Sequence, residues 1–455
     1  MSFAKFERFI LDKITDTRLP GLSAALVKGD EVIWSRGFGF RDLKNGLAAT
    51  PQTIYSIGSV TKSFTCIAIM QLAEAGKLKI DDPIDQYFPF DIQPGGEKVR
   101  IWHLMSHTSG LPALAYAENV IGGVIGSQES WFPIATYQDL LTFMQDAQDW
   151  AVTKPGQRWF YLNEGYALLG RIIEVVSGMP YVDYIKQHIF TPLGMSRSVF
   201  GKKDVEGDPD FAIPYVNWAA GERIPSTYAY GTITADGGIV SSVLDLAKYI
   251  SMYLARGKQI LPASAIAEME TPRVTTPIKD SPFGTESYGY GLGIKSNFLG
   301  NKLVSHGGSV GVATAYMGYL PEKNVGVAIL TNGSGFATGQ FGMYGLAMAL
   351  GEDPDNLPFT RQVHILTELE GSYETYKGTM KVQVRRSGDL LTMTETDKHR
   401  SNTSVMIPDT LDEQHSTFYS LESGAKKQAE FNVKDDKVEF IFERYLFRKT
   451  GKLIK

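Results

Sequence analysis

From residue 60 to residue 75 almost every residue is compatible with a helix, and the apolar ones (Phe64, Ile67, Ala68, Ile69, Met70, Leu72) run nearly all round it. A helix apolar on nearly every side has to be buried, so this segment is the centre around which a domain must fold. Gly76 is its natural stop. Ser59 then stands at or just inside the helix N-terminus. Lys62 follows one turn later on the same face. The first-turn N–H groups are unpaired and carry the positive end of the helix dipole. The stretch Ser59-Val60-Thr61-Lys62 thus offers a nucleophile, a base and oxyanion donors together. A base must be neutral to take a proton, and burial and a helix N-terminus both disfavour a charged amine. The plainer reading is an N-cap serine beside a solvated lysine; a lysine at the head of a buried helix argues against it. The same spacing recurs at Ser2–Lys5, read as a mobile N-terminus, and at Ser423–Lys426, read as a β-turn.

The 455 residues are too many for one ordinary domain and enough for a large core plus an accessory module. A hydrophobic content of 43% makes the chain globular. The net charge of −5, with no basic stripe, excludes nucleic acid as a partner. The lone cysteine, Cys66, rules out an internal disulfide and reads as a packed core thiol. No run of 18 apolar residues can span a membrane. Lys5, Glu7, Arg8, Asp12 and Lys13 interrupt any N-terminal signal region, so a cytoplasmic protein is expected.

Residues 3–16 place Phe3, Phe6, Phe9, Ile10 and Ile14 on one helical face. Two strands, 22–27 and 31–36, follow around Lys28-Gly29-Asp30. A mostly helical block comes next, with helices at 166–176 and 244–253, the second opened by Ser242 and Asp245. Strands return at 288–295, 302–306, 312–320 and 325–331, before a helix at 339–350. This order predicts an α+β fold: one antiparallel sheet split by a helical subdomain and flanked by the N- and C-terminal helices. Residues 1–352 form the first domain on this reading. A polar, proline-bearing linker covers 353–369. Period-2 patterns such as 380–385 and 438–443, with turns at Ser387-Gly388 and Asp435-Asp436, predict a small closed β-barrel over 370–455.

Two further motifs complete a candidate site. Tyr161-Leu162-Asn163 lies just before the helix at 166: a tyrosine there could shuttle a proton, and an asparagine amide could hold a substrate carbonyl. The same pattern at Tyr215-Val216-Asn217 follows Pro214 and reads as a loop. His306-Gly307-Gly308-Ser309 ends a late strand, where two glycines allow close backbone approach and a histidine can donate, accept or charge. His103 and His107 have the spacing of a metal pair but lack a third ligand, so no metal is expected and both read as packing under the site.

In order and approximate spacing, Ser59-x-x-Lys62, Tyr161-x-Asn163 and His306-Gly307-Gly308 resemble the serine β-lactamase-like family. That family comprises class C β-lactamases, DD-peptidases, D-aminopeptidases, esterases and CubicO-type hydrolases. The 103–111 segment, Asn163-Glu164-Gly165-Tyr166 and Asp236-Gly237-Gly238-Ile239 also resemble it, and the likeness covers about residues 1–350. The β module resembles the lipocalin-like domain of archaeal CubicO-type oligopeptidases that assemble into closed homo-oligomers. The resemblance implies Ser59 as acylated nucleophile, Lys62 as its base and Tyr161 as proton relay. It implies Asn163, His306, Gly307 and Gly308 as substrate contacts, and the N–H groups of Ser59 and Ser309 as the oxyanion hole, with no cofactor. His306 stands where many members carry the lysine of Lys-Thr-Gly. A histidine is charged only part of the time, so β-lactams and free-carboxylate peptides fit less well. The expected function is a peptidase on short peptides, D-residues among them. An esterase or β-lactamase on the same machinery, or a non-catalytic peptide-binding scaffold, are the alternatives.

Overall fold

A nine-stranded antiparallel sheet carries the first part of the chain. Its strands are β1 (Gly21–Lys28), β2 (Glu31–Asp42), β3 (Leu47–Ala48), β4 (Val274–Thr275), β5 (Glu286–Tyr288), β6 (Gly293–Phe298), β7 (Asn301–Ser309), β8 (Thr314–Leu320) and β9 (Val325–Thr331). They lie in the order β3-β2-β1-β9-β8-β7-β6-β5-β4. β1 pairs with β9 from Leu22 opposite Thr331 to Lys28 opposite Val325, which joins the early and late strands across the helical insertion. The coordinates are a computed structural model that describes all residues except 1, 90–91, 130–131, 218–221, 231–233, 397, 436 and 452–455. The chain divides into two compact units, Met1–Glu352 and Asp353–Lys455.

The principal helices are α1 (Ala4–Thr17), α2 (Thr61–Glu74), α3 (Tyr116–Val124), α4 (Asn163–Ser177), α5 (Val243–Leu254), α6 (Thr338–Leu350) and α7 (Pro358–Glu368). β8 and β9 are buried at every position because helices cover both faces of the sheet. On one face Val327 meets α6 at Gly342. There α1 packs on α6 through Phe9, whose ring centroid is 4.0 Å from that of Tyr344. On the other face a Cβ at Gly326 would lie 2.3 Å from Ile250 of α5. α2 is buried along nearly its whole length and packs on α4.

Four local expectations change. The single strand expected over 288–295 is two, β5 and β6, because the chain reverses between them: Tyr288 pairs with Gly293, the Gly289 N–H donates to the Leu292 carbonyl at 2.8 Å, and Gly291 has φ 69°. A Cβ at Gly289 would lie 2.2 Å from the Met269 carbonyl oxygen. Tyr215–Asn217 is a strand paired with Arg223–Pro225, not a loop. The N-terminus is anchored: Ser2 Oγ accepts the Ala4 N–H at 3.4 Å, and Phe3 and Phe6 are buried. Residues 358–368, inside the expected linker, form α7, with Pro358 at its first position, where its missing N–H costs nothing.

In the second unit β10 (Gly371–Glu374), β11 (Lys381–Ser387), β12 (Leu390–Thr396), β13 (Ser401–Thr410), β14 (His415–Glu422), β15 (Ala425–Lys434), β16 (Lys437–Phe442) and β17 (Tyr445–Gly451) close into a barrel. Ser423 and Gly424, at φ 51° and 84°, make the β14–β15 turn. Of the expected turn at 435–436, Asp435 has φ 50°, and Asp436 lies outside the described residues. Alternate side chains fill the barrel interior, where Phe431 and Phe440 stack at 4.4 Å. Ile365 and Leu366 of α7 belong to this core. Among the described residues no helix is long and apolar enough to cross a membrane.

Because Leu366 is fully buried in that core, Leu366→Ala is expected to destabilise the isolated 353–455 unit by about 2–5 kcal/mol. A version starting at residue 370 is expected to lose its cooperative transition. Urea unfolding followed by circular dichroism checks both.

Candidate active site

Ser59 sits in the 3-10 turn Gly58–Val60 that runs directly into α2. The residues just before the turn are tied to one strand. The Ile57 N–H donates to the Ile239 carbonyl at 3.0 Å, and Tyr55–Ser56 pairs with Ile239–Ser241. Lys62 is completely buried. Its Nζ lies 3.0 Å from Ser59 Oγ, 2.8 Å from Asn163 Oδ1 and 2.8 Å from the Asp236 carbonyl oxygen. Three acceptors match the three donors of an ammonium. The same geometry also suits a neutral amine, whose two N–H groups serve Asn163 and Asp236 while its lone pair accepts from the Ser59 hydroxyl. Nothing need move when the proton does.

Tyr161 and Asn163 reach Lys62 through the loop that precedes α4. His107 holds that loop: its carbonyl accepts the Phe160 N–H at 2.8 Å, and its Nδ1 accepts the Leu162 N–H at 2.9 Å. The His107 ring centroid lies 4.2 Å from that of Tyr161. Burial, with Lys62 and His306 nearby, pushes the His107 pKa well below its ordinary value. The Tyr161 ring faces the amine, with Lys62 Nζ 4.8 Å from its centroid. Asn163 is the first residue of α4, and its Nδ2 donates to Glu118 Oε1 at 3.1 Å. Its amide is thereby oriented, with oxygen toward the lysine and nitrogen toward the acid.

His306, buried on β7, has both ring nitrogens engaged. Nδ1 lies 2.5 Å from the Gly307 carbonyl oxygen, which can only accept, so this nitrogen carries the proton. Nε2 then accepts from the Tyr288 hydroxyl at 2.8 Å. Burial, followed by the neighbouring Lys62, lowers the His306 pKa to about 4. Near neutral pH the ring is therefore uncharged, a stronger condition than the part-time charge expected from sequence.

The two glycines after it differ. A Cβ on Gly308 would lie 2.0 Å from the Ile57 carbonyl oxygen, so the strand can pass the nucleophile turn only without one. At Gly307 the nearest atom to such a Cβ is 3.9 Å away, and the residue lines the cleft, so glycine there keeps space open. β7 pairs with β6 only as far as Ser305. The Val310 N–H bonds to Ala313, so the adjacent Ser309 opposes Thr314 as a non-hydrogen-bonded pair, and its N–H points away from β8.

Ser59, Tyr161, Asn163, His306, Gly307, Gly308 and Ser309 all line one cleft of about 770 Å³. Lys62 lies beneath it. His103 is not among the lining residues; its Nδ1 accepts the Arg100 N–H at 2.9 Å. The Tyr215 hydroxyl accepts the Leu43 N–H at 2.8 Å, and Tyr215 is likewise not a lining residue.

Residues 6–349 match the family model described as Beta-lactamase. The chain belongs to the beta-lactamase family. Residues 354–448 match a second model, the Pab87 octamerisation domain. The structure of the octameric penicillin-binding protein homologue from Pyrococcus abyssi is similar at 46% identity and a TM-score of 0.93, covering 99% of this chain and 100% of that one. D-amino acid amidase from Ochrobactrum anthropi SV3 is similar at 27% identity and a TM-score of 0.60, covering 72% and 90%. Protein flp of Staphylococcus aureus (strain MW2) is 26% identical over 319 residues, 69% of this chain and 60% of that protein. The chain spans 60% to 64% of the length of the first curated relatives it matches.

Within this family member, sequence reasoning did not assign Glu118, Tyr116, Asp236 or Tyr288 a place at the site. Asp236 acts on Lys62 through its backbone carbonyl, which no side-chain pattern reports. Asp236 stood only in a supporting stretch before two glycines, and the cleft-lining pair Gly237-Gly238 was the available signal.

Gly308→Ala is expected to abolish turnover, and Gly307→Ala to retain the fold while weakening bulky substrates about tenfold in kcat/KM; steady-state kinetics with a substrate size series checks this. A second outcome concerns acid. Between pH 6.5 and about 4 the unfolded chain protonates His306 while the folded chain does not. Stability therefore rises with pH across that window and is lost on acidification. Thermal unfolding across it is expected to be less steeply pH-dependent in His306→Gln.

Proposed function

We propose that this beta-lactamase family member is a serine peptidase that cleaves short peptides, D-residues among them, through an acyl-enzyme on Ser59. The observation that carries the reading is the buried Lys62 amine 3.0 Å from Ser59 Oγ with its two other contacts already filled. Ser59 Oγ attacks the scissile carbonyl as its proton passes to Lys62 Nζ. The N–H groups of Ser59 and Ser309 receive the developing oxyanion. Gly58 and Gly308 allow that approach: an ideal Cβ on Gly58 would fall 2.7 Å from Ser309 N, and one on Gly308 would fall 3.1 Å from Ser59 N. Tyr161, over the amine, relays the proton to the leaving nitrogen, and Asn163 holds the substrate amide. Water then attacks the acyl-enzyme through the same groups in reverse.

Peptides are favoured over β-lactams and free-carboxylate substrates by the neutral state of His306, which leaves no fixed cation where a carboxylate would dock. The D-amino acid amidase likeness supports amide substrates. We further propose a homo-oligomer built through the barrel unit, supported by its match to an octamerisation domain and by the 46% identical octameric neighbour. A closed assembly would keep folded proteins from the cleft.

An acylating serine reagent is expected to add one equivalent, on Ser59, and Ser59→Ala to abolish turnover with the fold retained. Labelling at Ser56 or Ser63 would overturn the assignment. Lys62→Ala and Tyr161→Phe should each cost on the order of 10²–10⁴-fold in rate, with the double variant no worse than the poorer single one. Light scattering is expected to show a multimer for the full chain and smaller species for residues 1–356.

A further inference from the structure

His107 grips the chain on both sides of Tyr161: its carbonyl accepts the Phe160 N–H at 2.8 Å, and its Nδ1 accepts the Leu162 N–H at 2.9 Å. Its backbone stands at φ 59°, in the left-handed region that a residue with a Cβ rarely adopts. Such a conformation persists only where the surroundings impose it. Here they do. The His107 N–H donates to the Leu104 carbonyl at 3.3 Å, the Ser106 N–H to the Trp102 carbonyl at 3.0 Å, and the Thr108 carbonyl accepts the Gly156 N–H at 2.7 Å.

The ring is held in one tautomer. Because Nδ1 accepts, the proton of the neutral imidazole lies on Nε2. That nitrogen is buried and has no hydrogen-bond partner among the described residues. A buried donor left unmatched is costly, and a phenylalanine ring would fill the same space without one. Packing alone therefore does not account for a histidine at this position; the Nδ1 contact to Leu162 does. The ring also supports the tyrosine directly. Its centroid is 4.2 Å from that of Tyr161 with the planes 33° apart, and the rings of Tyr288 and Tyr166 close around it at 4.9 Å and 5.0 Å. None of the described hydrogen bonds uses the Tyr161 hydroxyl. The phenol is thus held by its loop and by the His107 ring, which leaves its oxygen free to exchange a proton.

We propose that His107 is a positioning residue for the proton-transfer step: clamped at φ 59°, with Nδ1 turned to Leu162, it fixes the Tyr161 phenol over the Lys62 amine. This rests on Tyr161 being the proton relay. A relay works only within hydrogen-bond reach, and a displacement of about 1 Å can cost on the order of 10²-fold in rate. Ser59 and Lys62 are carried by the α2 segment, so loss of the clamp would move the phenol and leave the nucleophile and its base in place.

The test is a double-mutant cycle in kcat on the full-length protein, with D- and L-leucine p-nitroanilide as substrates. His107→Phe keeps a ring but loses the acceptor. His107→Asn loses the ring, but its Oδ1 stands where Nδ1 was, and asparagine is at ease in the left-handed region. In the wild-type background His107→Phe is expected to lower kcat about tenfold or more with KM changed by less than about threefold. His107→Asn is expected to lose at least about threefold less, because it keeps the Leu162 contact. In the Tyr161→Phe background each is expected to cost less than about threefold further, since the group they position is gone. A loss that acts through general packing, or through Asn163, would persist there at full size. The same fold loss in both backgrounds, or equal losses in His107→Asn and His107→Phe, would overturn the proposal. Thermal unfolding shows whether each variant folds; if His107→Phe does not, the cycle is run with His107→Asn, and an equal loss in both backgrounds overturns the proposal in the same way. Full activity in Tyr161→Phe alone would remove the relay reading and the proposal with it, an outcome read before any His107 variant is made.

Discussion

The site is built around a primary amine enclosed in protein. Lys62 Nζ finds acceptors from three places in the chain: one turn back in its own segment, the first residue of α4, and a backbone carbonyl just before the Gly237-Gly238 turn. Losing one would leave a buried polar group unmatched, at a cost of about 1–3 kcal/mol. The same three contacts satisfy the amine with or without its extra proton, which is what a group that takes and returns a proton requires. Helix α2, buried along nearly its whole length, delivers that amine to the floor of the cleft.

Backbone approach matters as much as side-chain chemistry. The nucleophile turn and the end of β7 lie so close that only glycine fits at position 308. The sheet contributes by ending: β6 stops pairing at Ser305, so the last residues of β7 are free of a neighbour on that side and can face the turn instead. His306 lies on this freed segment. Its two nitrogens are satisfied by Tyr288 and by the Gly307 carbonyl, and burial keeps it neutral. With Lys62 committed beneath the floor and no lysine or arginine among the described lining residues, the charge of the cleft is left to its carboxylates.

The second unit is held by a different means. Its eight strands close on themselves, so no edge is left to pair with other chains. The interior is filled by aromatic and aliphatic side chains and leaves the barrel a packed core rather than a container. Helix α7 adds Ile365 and Leu366 to that core.

The sequence by itself determined the strand-helix-strand order, the buried helix at residue 60, the closed β module and the three motifs, because periodicity and local spacing are properties of neighbouring residues. Serine and lysine three apart on a helix share a face wherever that helix lies. It misjudged α7, whose apolar residues Ile365 and Leu366 are answered by the distant strands of the barrel, and two short hairpins that apolar patterning does not resolve: 288–295, which turns back between Tyr288 and Gly293, and Tyr215–Asn217, which pairs with Arg223–Pro225. Tertiary structure alone decided which groups meet Lys62 and whether His306 is charged. Those depend on burial and on atoms separated by tens to hundreds of residues: Asn163 is 101 positions and Asp236 is 174 positions from Lys62. The second of these contacts is made by a backbone oxygen that every residue type possesses, so no choice of side chain could have announced it.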